Sequence, residues 1–300
     1  MPDRSSSPMS APRGPTRALL EPFGATAGDV RAAVYDVARQ VPRTLADLAV
    51  PRPGGGSFRL TDHHVRAALA PSSAVSPSTP FAWSARTARR ALGLAALRAL
   101  VTGAARSPVD GVSRAIDEAV RAARQGASAA SPMDRWLVGL PAAGRVAVQA
   151  DAVTWATRLW CALDWSAFEE PPTLGRDHWW DSPHSSLLAL RSRAEVRSVA
   201  RDQAGAPFSV HLVVLGGPRR ATIRSELSVA AMVEVLSSPR SLPPGRMVGW
   251  WPDSGHLVTL EIDQHALDDG VAAVARTLAS AGATPAATPG DSEGAIRAAA

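Results

Sequence analysis

The chain has 300 residues, 46% of them hydrophobic and 20% charged, with a formal net charge of +5. That is enough apolar chain for one large domain or two modest ones, which excludes a wholly disordered protein. All 32 basic residues are arginine, so no mechanism can use a lysine nucleophile, Schiff base or phosphate clamp, and a Walker-type loop is ruled out.

Residues 1–24 are rich in Pro, Ser and Arg and read as a disordered tail without the apolar h-region of a secretory signal. A helical region is expected over 25–165. Val30, Val34 and Val37 fall at helical spacing over 29–40, and Pro42 is expected to end that run. The stretch 50–57, "VPRPGGGS", reads as a linker, 61–69 as a short helix opening near His63 and His64, and 71–80 as a loop. Three clear helices are predicted next, over 84–103, 108–125 and 142–163. Ser107 can cap the second, with Pro108 in its first turn and Asp110 completing a capping-box-like start. Val148, Ala152, Trp155, Leu159 and Ala162 form a stripe on the third that reads as core packing. Cys161, the one cysteine, sits in that pattern and reads as an inert buried thiol in a reducing cytoplasm. No window approaches the roughly 18 apolar residues of a membrane span, so no membrane partner is expected.

The texture changes after Trp165. An irregular stretch, 166–186, precedes a strand over 187–199 and a second over 208–215. A helix over 222–237, a hairpin through Trp250 and Trp251, and a helix over 264–280 follow, with a disordered tail from 283. The expected class is α/β, a helical N-terminal region packed on a mixed β-sheet with flanking helices, the α/β part covering 166–282.

Three constellations could carry chemistry. On the first strand, alternation places Arg191, Arg193, Glu195 and Arg197 on one face. They form either a basic groove floor, with Glu195 as metal ligand or organiser, or the solvated face of an edge strand. In "RDHWWDSPH", Arg176, Asp177, His178, Asp181 and His184 could bind a divalent metal. Alternatively Asp181 starts a turn while Trp179 and Trp180 anchor the loop. On the second strand, Ser209 and His211 share a face, and His211 reads as a core or edge histidine. That strand ends at Gly216-Gly217, a candidate anion nest before a helix start, with Arg219, Arg220 and Arg224 close by. There is no Gly-x-Ser-x-Gly signal for a serine nucleophile and no Gly-x-Gly-x-x-Gly dinucleotide turn.

The C-terminal order resembles the RecB-like branch of the PD-(D/E)XK nucleases over roughly 150–281. "SRAE", 192–195, resembles the first family motif, with Glu195 in the position of its metal-binding aspartate. "VVLGG", 213–217, resembles the second, with Val214 in the carboxylate position and Gly216 in the lysine position. The resemblance implies a restriction-endonuclease-like core whose site is degenerate, since valine cannot ligate Mg²⁺ and glycine offers no cation. The expected function is a non-catalytic or weakly catalytic nuclease-like protein. Arg191, Arg193, Arg197, Arg219, Arg220 and Arg224 would bind nucleic acid. The alternatives are an active Mg²⁺- or Mn²⁺-dependent nuclease using Asp181, His184 and Glu195, and an interaction scaffold presenting the Trp250/Trp251 hairpin to a protein partner.

Overall fold

Short polar caps and apolar stripes set the helical half. The computed structural model describes residues 14–21, 27–48, 58–70, 82–126, 130–168, 170–175, 178–201, 203–237, 242 and 244–283. The expected linker 50–57, the loop 71–80, Arg176, Asp177, residues 1–13 and the tail beyond 283 lie outside them. Helix α1 (Gly14–Leu20) occupies part of the stretch expected to be disordered. Leu19 is fully buried in the main core, and Thr16 Oγ1 accepts the Asp164 N–H at 2.7 Å. This apolar anchor outweighs the disorder-prone composition around it. Helix α2 (Ala27–Leu48) continues through Pro42 instead of stopping there. Proline removes one helical hydrogen bond, but Val37, Val41 and Leu45 fall four apart and all enter the core. Burial of that stripe is the stronger effect.

A short strand, β1 (Phe58–Leu60), precedes α3 (Asp62–Leu69), where His64 Nδ1 accepts the Thr61 N–H at 3.1 Å. Helices α4 (Ala85–Val101), α5 (Pro108–Gln125), α6 (Pro132–Gly139) and α7 (Ala142–Ala162) follow. Ser84, Ser107 and Ser131 cap α4, α5 and α6 by accepting N–H groups one turn on. These four helices share a small-residue core of their own, including Ala88, Leu92, Ala96, Val112 and Ala152. A Cβ on Gly111 would stand 2.9 Å from the Ala96 Cα, so α4 and α5 approach closely only because glycine is there. Trp155 and Leu159 on α7 and Leu97 on α4 face the other way, into the main core. Cys161 is exposed, not buried as expected, because the α7 stripe that enters the core passes through Trp155 and Leu159 instead.

The second half contains β2 (Thr173–Leu174), β3 (His178–Asp181), β4 (Leu188–Ser192), β5 (Val196–Arg201) and β6 (Pro207–Val214). Helix α8 (Ile223–Ser237), β7 (Pro244–Trp251), β8 (His256–Glu261) and α9 (Gln264–Ala283) complete it. Two mixed sheets result, so the class is α/β as expected. One runs β1-β4-β3 and the other β2-β5-β6-β7-β8. Strands β6 and β7 are parallel, joined through α8, and the β5–β6 and β7–β8 pairs are antiparallel.

The expected strand over 187–199 is two strands in different sheets. Ser192 still pairs with His178 in one sheet, while Val196 already pairs with Leu174 and Leu212 in the other. The two-residue alternation passes through the switch at 193–195 undisturbed, so the sequence does not mark it. Helix α8 packs against β7 and β8 of one sheet, β3 and β4 of the other, and α9. It is buried on nearly every side, which is why its sequence is apolar all round. Trp250 and Trp251 are buried in the main core, so the hairpin offers no exposed tryptophan surface to a partner. Among the described residues no helix is long and apolar enough to cross a membrane.

Candidate functional site

Charge inside an apolar helix requires partners, because an unpaired buried charge is costly. Two carboxylates on α8 illustrate this. Glu226 and Glu234 are both buried. Glu226 accepts from Arg220 (Nε 3.0 Å, Nη2 2.9 Å), from Thr222 Oγ1 (2.7 Å) and from Arg66 of α3 (3.4 Å). Glu234 accepts from Arg197 Nη2 (2.8 Å) and Nε (3.3 Å) and from Ser192 Oγ (2.7 Å). His178 Nδ1 and His211 Nδ1 stand 3.3 and 3.4 Å from the same Glu234 Oε2.

Four of the six arginines expected to bind nucleic acid are therefore engaged with acids of this chain. Arg191 reaches Asp62 on α3 at 3.3 Å, Arg193 reaches Glu195 at 3.2 Å, and Arg197 and Arg220 hold the two α8 carboxylates. Arg191 and Arg197 point at acids from distant parts of the chain, and Arg193 and Arg220 at acids close by in sequence. Burial alone would raise the Asp62 carboxyl, but the Arg193, Arg191 and Arg66 guanidiniums outweigh it and hold it at about 2. Arg219 and Arg224 are exposed and make no ion pair among the described residues.

Glu195 lies at the start of β5, beside the end of β6. Its Oε2 accepts the Val214 N–H at 2.7 Å, and its own N–H donates to the Leu212 carbonyl at 2.9 Å. Its Oε1 is held by Arg90, which projects from α4, and by Arg193. One turn earlier on α4, Arg86 lies over the glycine turn. Its Nη2 is 3.0 Å from where a Cβ on Gly217 would stand, and 3.6 Å from that of Gly216. Gly217 has φ +78°, a left-handed conformation that also favours glycine. Arg86 is exposed and has no ion-pair partner among the described residues.

The expected metal residues are not brought together. Asp181, at the end of β3, pairs with Ala189 and is exposed, and His184 is exposed in the following turn. Glu195 is buried behind Arg90 in the other sheet. Among the described residues no three His, Cys, Asp or Glu side chains converge as a metal site. The donor set is also wrong for Mg²⁺ or Mn²⁺, since both Glu195 oxygens are taken and Val214 contributes no side-chain oxygen. Of the "RDHWWDSPH" residues, Trp180 is buried and Trp179 lies under Arg59, 4.5 Å from its ring centre. Both tryptophans anchor the segment.

His211 is buried beside Glu234, as a core histidine. Burial pushes its imidazole down to about 4, with Glu234 opposing and Arg197 and His178 assisting. Burial would raise the Glu234 carboxyl, but His178, His211 and Arg197 together hold it well below the usual range. Between roughly pH 6.5 and 4 the unfolded chain binds a proton at His211 that the folded chain refuses. Stability is thus complete above pH 6.5 and falls as pH drops through that window, by about 2 kcal/mol at pH 5. Urea unfolding at pH 7 and pH 5 checks this. The loss is expected to shrink in His211→Gln, and a wild type equally stable at both values would contradict it.

No family model matches the chain, and no curated protein matches its sequence. The site residues that sequence reasoning missed are Arg86, Arg90 and Glu234. The signal for Glu234 was present as an isolated acid in "IRSELSVAAMVEVL", an otherwise apolar helix.

Proposed function

We propose that this is a nuclease-like protein that binds nucleic acid without cutting it, holding a backbone phosphate at the Gly216-Gly217 end of the five-stranded sheet. The carrying observation is the pair Arg86 and Arg90, one turn apart on α4. Arg90 occupies the Glu195 carboxylate, where the nuclease resemblance would put a metal. Arg86 lies over the glycines, where it would put the lysine.

The order β5-β6-α8-β7, with β6 and β7 parallel, supports a restriction-endonuclease-like core. So does the contact of Glu195 with Val214 N–H, which joins the two motif positions across neighbouring strands. In open α/β sheets ligands gather outside the carboxyl ends of parallel strands, and the glycine turn is such an end. Arg86, Arg219 and Arg224 are the exposed guanidiniums of this end without an internal acid. Arginine holds phosphate through two parallel N–H bonds.

Labelled DNA and RNA titrated at 50 and 200 mM salt test the reading. Affinity is expected to fall with salt, and Arg86→Ser, Arg219→Ser and Arg224→Ser are each expected to flatten the log–log salt slope by about one unit. No binding at the lower salt, or three variants that bind like the wild type, would overturn it. No Mg²⁺- or Mn²⁺-dependent cleavage is expected. Cleavage abolished by Glu195→Ala would replace this reading with an active nuclease.

A further inference from the structure

A cavity of about 300 Å³ opens beside Glu234, between β5, β6 and β3, away from the glycine turn. Its wall includes His178, Arg197, Ser209, His211 and Glu234. Ser209 and His211 are two residues apart on β6, so their side chains share a face. Ser209 Oγ is 3.0 Å from His211 Nε2. The other ring nitrogen, His211 Nδ1, is 3.4 Å from Glu234 Oε2. Glu234 is itself fixed by Arg197 and Ser192. His211 Nδ1 is buried and makes no hydrogen bond among the described residues, so Glu234 acts on it through its charge, which favours the imidazole proton on Nδ1. That leaves the Nε2 lone pair facing the serine hydroxyl. Hydroxyl, imidazole and orienting carboxylate stand in the sequence that activates a serine, and the looser histidine–acid distance is ordinary before substrate binds.

We propose that Ser209, His211 and Glu234 form a serine acyl-transfer site for a small carboxylic ester, independent of nucleic-acid binding. Ser209 Oγ bonds to the ester carbonyl carbon while its proton passes to His211 Nε2. The carbon–oxygen bond to the alcohol breaks, and the departing oxygen takes that proton. Water then repeats the route, its proton going to His211 and then to Ser209 Oγ as the acyl bond breaks. The products are the carboxylic acid, the alcohol and the original enzyme. Glu234 is the positioning residue. The cavity volume is at the lower end for ligand pockets and sets the substrate as small. Burial keeps His211 neutral at physiological pH, as a base must be, but also makes it a weak one. Ser209 lies mid-strand, with no helix N-terminus beside it to steady an oxyanion, so turnover is expected to be slow. Covalent capture is therefore the sensitive readout.

The full-length protein is incubated with a fluorophosphonate probe, and the adduct is mapped by mass spectrometry. A p-nitrophenyl acetate burst is followed in parallel. One adduct per chain on Ser209 and a stoichiometric burst are expected, with both absent in Ser209→Ala. Ser209 is only half-buried, so this variant should melt like the wild type. In His211→Gln labelling is expected to slow at least about 100-fold. No adduct on Ser209, a burst that survives Ser209→Ala, or equal labelling in a folded His211→Gln overturns the proposal. If His211→Gln does not fold, the Ser209→Ala result decides. DNA and RNA binding should be unchanged in Ser209→Ala, which separates failure here from failure of the nucleic-acid reading.

Discussion

Replacing Glu234 with alanine is expected to cost about 3–5 kcal/mol of folding stability, because it strips the partner from a largely buried guanidinium. The Arg197 side chain is 15% exposed and that of Glu234 is 2% exposed, so water reaching them through the cavity replaces only part of the lost bonds. Ser192 Oγ loses its acceptor as well. Glu234→Gln keeps the volume but not the charge and is expected to recover only part of the loss. Removing both charges, as Arg197→Met with Glu234→Met, should recover most of it, since the pair's own attraction is largely offset by desolvation. Urea unfolding of the three variants measures this. The half-exposed Arg158–Asp253 pair provides the contrast, because breaking it should cost under about 1 kcal/mol. A Glu234→Ala variant as stable as a broken surface pair would mean that the cluster is wet.

The second large effect concerns Arg90→Ala, expected to cost about 3 kcal/mol by leaving the buried Glu195 with one weaker cation, Arg193, and the Val214 N–H. Burial pulls the Arg90 pKa down, with Glu195 opposing, so the guanidinium depends on that carboxylate as much as the reverse. Arg90→Met combined with Glu195→Gln is expected to restore most of the loss. The single variant also tests the metal question, since it removes one of the two cations on Glu195 Oε1. Added Mn²⁺ should not raise its melting temperature, because among the described residues no three His, Cys, Asp or Glu side chains converge to complete a site. A rise of several degrees with Mn²⁺ would restore metal binding to consideration.

Helix positions were the most legible part of the sequence, because caps and stripes are local. Ser107-Pro108 marked the start of α5, and the stripe through Trp155 and Leu159 placed α7. The same Ser-Pro-x-Asp start recurs at Ser131–Asp134 and opens α6, too short to show a stripe. Strand β1 and the sheet switch at Arg193–Glu195 were not legible. Both depend on pairing with distant chain, β1 with β4 and Val196 with Leu212, and no local pattern encodes it. The arginine row was visible but misread for the same reason. Alternation shows that Arg191 and Arg197 share a face, not that Asp62 and Glu234 wait opposite them. Glu195 stands out in the sequence as the one carboxylate in the arginine row. Its neutralising partner sits in α4, which the sequence presents as an ordinary arginine-bearing helix start.

The parallel pairing of β1 with β4 constrains the order of folding. Everything from α3 through α7 lies in the chain between Phe58 and Leu188. Closing so long a loop is entropically unfavourable until other contacts hold its ends together. The three-stranded sheet is therefore bound to assemble late, its β1–β4 contacts forming after the folding transition state and contributing mainly to the unfolding rate. A chain emerging from the ribosome carries β1 without its partner, with Phe58 and Leu60 exposed, until β4 has been made.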